Sequence, residues 1–163
     1  MKHTISILVE NHAGVLARVA GLFARRGFNI DSLAVGITED EKISRITIIA
    51  DGTAYTLEQI EKQLNKLIDV IKVRHLPAEE LLSRELVLIK VASQPSQRAE
   101  LISLAEIAKA KMSDITVNTM TLELSDSVPR IKTFEELLRP YGIKETVRTG
   151  SIAMQKGGAS MKL

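Results

Sequence analysis

The chain contains no cysteine, which excludes disulfides, thiolate nucleophiles and thiolate-bound metals. Tryptophan is absent too, and the aromatic complement stops at two tyrosines and three phenylalanines. Phe23, Phe28, Phe134, Tyr55 and Tyr141 supply no stacking platform on the central strands, so a base-reading module is excluded. No apolar run approaches the ~20 residues of a membrane span, and Met1-Lys2-His3-Thr4 leads straight into a strand rather than a signal-peptide core. The expectation is a cytoplasmic protein with neither membrane nor nucleic acid as partner. A net charge of only +2, with the charges interspersed, also argues against a polyanion partner. His3, His12 and His75 are scattered, with no acidic residue at ligand spacing, so no metal site is expected. No clustered histidines or paired carboxylates accompany the one ligand-like loop, so no catalytic residues are expected in this chain.

What is present is ample material for a core: 45% of the 163 residues are hydrophobic and 26% charged. The most informative stretch runs from Glu10 to Val19 and joins a strand, a polar turn and an amphipathic helix. Upstream, Ile5, Ile7 and Val9 alternate with polar residues at strand period; downstream, Val15, Val19 and Phe23 share one helical face, with Leu16 and Ala20 beside it. Gly14 lets the backbone approach a ligand, and the unpaired N–H groups of the first helical turn carry the positive end of the helix dipole. A small carboxylate fits such a junction. A capped turn that binds nothing has the same pattern, with Asn11 as its cap and Asn29 as a turn residue after Gly27.

The same order of elements occurs twice. The first half reads strand (Thr4 to Glu10), helix (Gly14 to Arg26), strand (Asn29 to Thr38), strand (Ile43 to Ala50), helix (Leu57 to Leu67) and strand (Val70 to Leu76). Thr56 and Gln59 match a capping box for the second helix. In the second half, a strand from Glu85 to Val91 precedes a helix capped by Ser96 that carries Leu101, Leu104, Ala105 and Ala108. Strands beginning at Ile115 and Met120, a helix from Pro129 to Leu138 and a strand from Ile143 to Thr149 follow. The pattern predicts an α+β chain of two βαββαβ domains, 1–77 and 84–154, joined by a linker at 78–83, with 155–163 as a flexible tail. Each such domain covers one sheet face with helices. Leu8, Ile49 and, depending on register, Ile30 or Leu33 would lie on the open face of the first, which favours a homodimer formed by sheet extension or face-to-face pairing.

The block from Ile7 to Leu33 resembles the ACT domain of the small, regulatory subunit of acetohydroxyacid synthase, also called acetolactate synthase. Ser44 to Ile48, Leu57 to Val70 and Arg84 to Val91 resemble the same family, so the likeness covers nearly the whole chain. The resemblance implies two ferredoxin-like domains and a protein without catalysis of its own. Such a subunit serves branched-chain amino acid biosynthesis, binding valine for feedback inhibition and activating a separate catalytic (large) subunit. Thiamine diphosphate, magnesium and usually FAD then belong to that partner, with no cofactor in this chain. Carried over by position, Asn11, Ala13, Gly14, Val15 and Leu16 would hold the valine, and Asn29 and Ile30 of a neighbouring copy would close the site. The alternative is an ACT-domain amino-acid sensor serving another enzyme or a regulator.

Overall fold

Ile5, Ile7 and Val9 are buried on one face of the first strand, β1 (Lys2–Glu10), as their alternation requires. In the computed structural model, which describes residues Met1–Leu163, this strand is central in a four-stranded antiparallel sheet. Its companions are β2 (Ile30–Ile37), β3 (Ile43–Asp51) and β4 (Val70–Leu76), in the order β2-β3-β1-β4. Two helices, α1 (Val15–Arg25) and α2 (Ala54–Leu64), cover one face. Val15, Val19, Leu22 and Phe23 from α1 and Ile60 and Leu64 from α2 meet Ile46, Ile48 and Ala50 of β3 in the core. Leu16 turns outward at 42% exposure, and Leu22 takes the inward place beside Phe23.

The capping box expected at Thr56 does not form. Thr53 is the cap, and its hydroxyl accepts the Thr56 N–H at 3.2 Å, so α2 starts and ends three residues earlier than the leucine stripe suggests. Leu67 still packs on the core from beyond the helix end.

The second compact unit comprises Ser83–Gly150. After a single 3-10 turn at Ala78–Glu80, β5 (Leu81–Ala92) begins at once, so the expected linker is half 3-10 turn and half strand. The remaining elements are α3 (Arg98–Ala108), β6 (Lys111–Ile115), β7 (Thr119–Asp126), α4 (Val128–Leu138) and β8 (Ile143–Arg148), with sheet order β6-β7-β5-β8. Val87, Ile89 and Val91 of β5 and Met120, Leu122 and Leu124 of β7 pack against Leu101, Ile131, Phe134 and Leu138. Gln97, not Ser96, stands at the start of α3. The strand expected at Ile115 ends there instead, because the Thr116 hydroxyl accepts the N–H groups of Asn118 and Thr119 and closes a hairpin.

Two βαββαβ units are thus present, as the repeated order of elements predicts. No helix is long and apolar enough to cross a membrane.

The last residues depart from expectation. Ser151–Leu163 group with the first unit and include a short strand, β9 (Ile152–Gln155). Polar side chains on the sheet hold this segment: Arg45 donates to the Ala153 carbonyl at 2.7 Å, Ser32 accepts from Ser151 N–H at 2.8 Å, and Lys72 donates to the Lys162 carbonyl at 2.7 Å. The face opposite the helices is therefore covered by the chain itself. Leu8 is only 3% exposed, and Ser6 and Thr47 are buried with it.

Candidate functional site

Gly14 stands at the start of α1 with φ 87° and ψ −11°, the left-handed region that glycine adopts without strain. No side chain caps the helix, so the amides of Leu16 and Ala17 in its first turn stay open toward solvent, with the helix dipole behind them. Asn11 is not the cap. Its Nδ2 donates to the Glu41 carbonyl at 2.8 Å, and its backbone N–H donates to the Lys42 carbonyl at 2.8 Å. These bonds pin the loop to the β2–β3 hairpin and leave the amide oxygen as the acceptor available to a cationic group. Ala13 and Gly14 are exposed, whereas Val15 is buried in the core and can offer a ligand only its backbone.

An ion-pair chain fixes this loop from behind. Asp69, buried in the segment before β4, accepts from Arg18 Nε at 2.6 Å through Oδ2, and Arg18 Nη2 lies 2.6 Å from the same oxygen. Its Oδ1 lies 3.0 Å from His12 Nε2, which also stands 3.1 Å from Glu10 Oε2. The Asp69 carbonyl accepts the Glu10 N–H at 2.9 Å. Bonding to the Ala13 carbonyl first, then to Glu10, holds the His12 pKa above its ordinary value. The ligand atoms of Glu10, His12 and Asp69 lie within 4.8 Å of one another, yet the Arg18 cation already occupies Asp69, so the group is an ion-pair network by its charge balance. Of the two acidic neighbours of His12, Asp69 escaped sequence reading because it comes from a distant segment, whereas Glu10 stands only two residues away.

Arg18 is the residue that the sequence reading missed. Its Nη1, the nitrogen left over after the two contacts with Asp69, stands 3.4 Å from where a Cβ on residue 14 would lie. A guanidinium thus flanks the open amides at the loop. The available signal was its spacing of four from Gly14, one helical turn on.

Asn29 and Ile30 lie elsewhere in the chain. Asn29 Nδ2 donates to Asp31 at 2.8 Å, and Ile30 packs on the core at the start of β2. The register pairs Ile30 and His3 with Ala50, whereas Ile37 and Val9 pair with Ser44. One protomer therefore separates Asn29 and Ile30 from Gly14 by the length of the sheet, roughly 20–25 Å for a seven-residue run.

A family profile described as the AHAS small subunit-like ACT domain matches residues 5–72, and one described as the small subunit of acetolactate synthase matches residues 84–157. The chain belongs to the acetolactate synthase small-subunit family. It is 49% identical to a probable acetolactate synthase small subunit of Archaeoglobus fulgidus, over 96% of this chain and 98% of that one. Against the acetolactate synthase small subunit of Mycobacterium leprae the identity is 44%, over 95% of this chain and 92% of that one. The crystal structure of the small subunit from Thermotoga maritima superimposes with a TM-score of 0.90 at 38% identity, covering 98% of this chain and 99% of that one. Family membership therefore extends through both units.

Proposed function

We propose that this chain is a valine-sensing regulatory subunit of acetolactate synthase that binds the end product at the β1–α1 loop and governs a separate catalytic subunit. The observation that carries the reading is the open helix start at Gly14, flanked by Arg18, in a chain of this family. A zwitterionic amino acid matches it group by group. The carboxylate meets the Leu16 and Ala17 amides, the ammonium meets the Asn11 amide oxygen, and the branched side chain meets the exposed Leu16.

A second copy supplies Asn29 and Ile30. β2 is an edge strand with Val35 47% and Ile37 62% exposed, a surface that antiparallel pairing with a partner's β2 would remove. Such a two-fold sets the start of one β2 beside the end of the other, and that end adjoins the hairpin to which Asn11 is pinned. The homodimer thus completes the site. Thiamine diphosphate chemistry is assigned to the catalytic subunit, whose turnover this chain raises and valine lowers.

Calorimetry with valine, paired with pyruvate turnover by the catalytic subunit with and without this chain, tests the proposal. Saturable valine binding and valine-dependent inhibition of the mixture are expected. Turnover indifferent to this chain, or turnover by this chain alone, would overturn it.

A further inference from the structure

The arginines on the far face of the first sheet have no carboxylate partner of their own. Arg45 on β3 lies directly across from Leu8 of β1, and Arg74 on β4 lies across from Ser6, so the two stand on one face on either side of β1. What they bind is neutral: Arg45 donates to the Ala153 carbonyl, and Arg74 Nη1 donates to Gln155 Oε1 at 3.2 Å and the Ser160 carbonyl at 3.3 Å. The Arg45 Nε–H is buried with no acceptor. Burial first, and then the charge of Arg74, draws the Arg45 pKa below its ordinary value. Two cations on one half-buried face, bonded only to neutral carbonyl and amide groups, mark a position whose charge an anion would balance.

A cavity lies at that position. It measures about 370 Å³, and its wall includes Arg45, Arg74 and Lys162 against the single carboxylate of Glu39. The segment Gly157-Gly158-Ala159-Ser160 lines it too, with Gly157 at φ 76°, a backbone that can come close to a ligand. Two guanidinium forks match the oxygen spacing of a tetrahedral oxyanion better than lysines would.

We propose that this cavity binds a phosphate group, held between Arg45 and Arg74 and roofed by residues 157–160, and that the bound anion clamps the C-terminal segment to the sheet. The volume admits either free phosphate or a phosphomonoester with a small organic group. This site is separate from the β1–α1 loop and stands independently of valine binding.

The test uses the full chain at constant ionic strength. Inorganic phosphate, glycerol 3-phosphate and acetate are titrated calorimetrically, and amide exchange of residues 157–160 is followed alongside. Saturable binding of phosphate, with slowed exchange confined to that segment and no response to acetate, is expected. Tighter binding of glycerol 3-phosphate would identify the occupant as a phosphomonoester, and tighter binding of phosphate would identify the free ion. Arg74→Gln should weaken binding at least tenfold, about 1.4 kcal/mol. Absence of saturable binding, an equal response to acetate, or an undiminished affinity in a folded R74Q protein would overturn the proposal. Should R74Q fail to fold, the exchange pattern of the unmodified chain decides: unchanged exchange at 157–160 overturns the proposal, and selective protection there supports it.

Discussion

Arg18 and Asp69 meet through two guanidinium nitrogens at 2.6 Å from one carboxylate oxygen, joining α1 to the segment that leads into β4. The pair stands directly behind the loop that presents Gly14, so it aligns the guanidinium as well as the helix start. Asp69 is buried while Arg18 is about half exposed, which places the value of the contact below that of a fully buried pair. Asp69→Asn should cost about 1–2 kcal/mol of stability by urea denaturation. Valine affinity should fall at least threefold, because Arg18 loses the partner that aims it. An affinity unchanged in the folded variant would show that the ion pair is purely structural.

Gly14 distinguishes strain from charge. At φ 87° any L-residue pays about 1–2 kcal/mol, so Gly14→Ala should already loosen the loop and weaken valine inhibition. Gly14→Asp should go further, since Arg18 Nη1 is close enough to draw the new carboxylate into the place of the ligand's own. Repulsion between two carboxylates ~4 Å apart is about 4 kcal/mol at an effective dielectric constant near 20. Half of that weakens binding roughly thirtyfold. Activation of the catalytic subunit should survive in both variants, and inhibition curves for reconstituted enzyme are the measurement.

Two histidines give the stability opposite dependences on pH. Bonding to the Ala13 carbonyl, then to Glu10, raises the His12 pKa above the ordinary histidine value of about 6.5, so its contribution is complete below about 6.5 and is lost as pH rises through the folded value. Burial first, then His3, lowers the His75 pKa, so its contribution is present above about 6.5 and is lost as pH falls through the folded value. Melting temperatures between pH 5 and 8 should therefore lose their alkaline decline in His12→Gln and their acid decline in His75→Gln. A decline that persists in the matching variant would assign it to other groups.

A site shared between copies predicts complementation. Asn11→Ala and Asn29→Ala chains should each bind valine poorly. Mixed and re-associated, they form heterodimers with one site that has lost both residues and one that has lost neither. Calorimetry should then recover binding at up to half the sites of those heterodimers. Valine at ~100 times its dissociation constant should also stabilise the intact dimer by about 2.7 kcal/mol per site. Failure of the mixture to exceed its components would place both asparagines in one protomer's site or in none.

Period and punctuation made the inner strands readable. The centres of β1 and β3 follow from their apolar period and the bounds of the edge strand β4 from its flanking residues, whereas Gly14 is legible as a place of close backbone approach and its left-handed φ comes only with the fold. The start of α2 was not readable in the same way, because Thr53 and Thr56 are both residue types that cap helices, and it is Thr53 whose hydroxyl accepts the first-turn N–H. Arg18 announces itself by spacing, but Asp69 becomes relevant only through folding, across a sequence separation of 51. The destination of Ser151–Leu163 had no local signal either. Its glycines describe a compliant segment, and the carbonyls that Arg45 and Lys72 capture are the same in any sequence.

That destination has a consequence for the order in which the protein can be made. The Ser151 amide meets the Ser32 hydroxyl across 119 positions of sequence, with all of Ser83–Gly150 between them. A ribosome adding about 5–20 residues per second leaves the first sheet half-dressed for several seconds, with Leu8 and its neighbours waiting for chain not yet synthesised. The N-terminal unit is thus the first to begin folding and among the last to finish. A stop codon a dozen residues early would strike the beginning of the protein rather than its end.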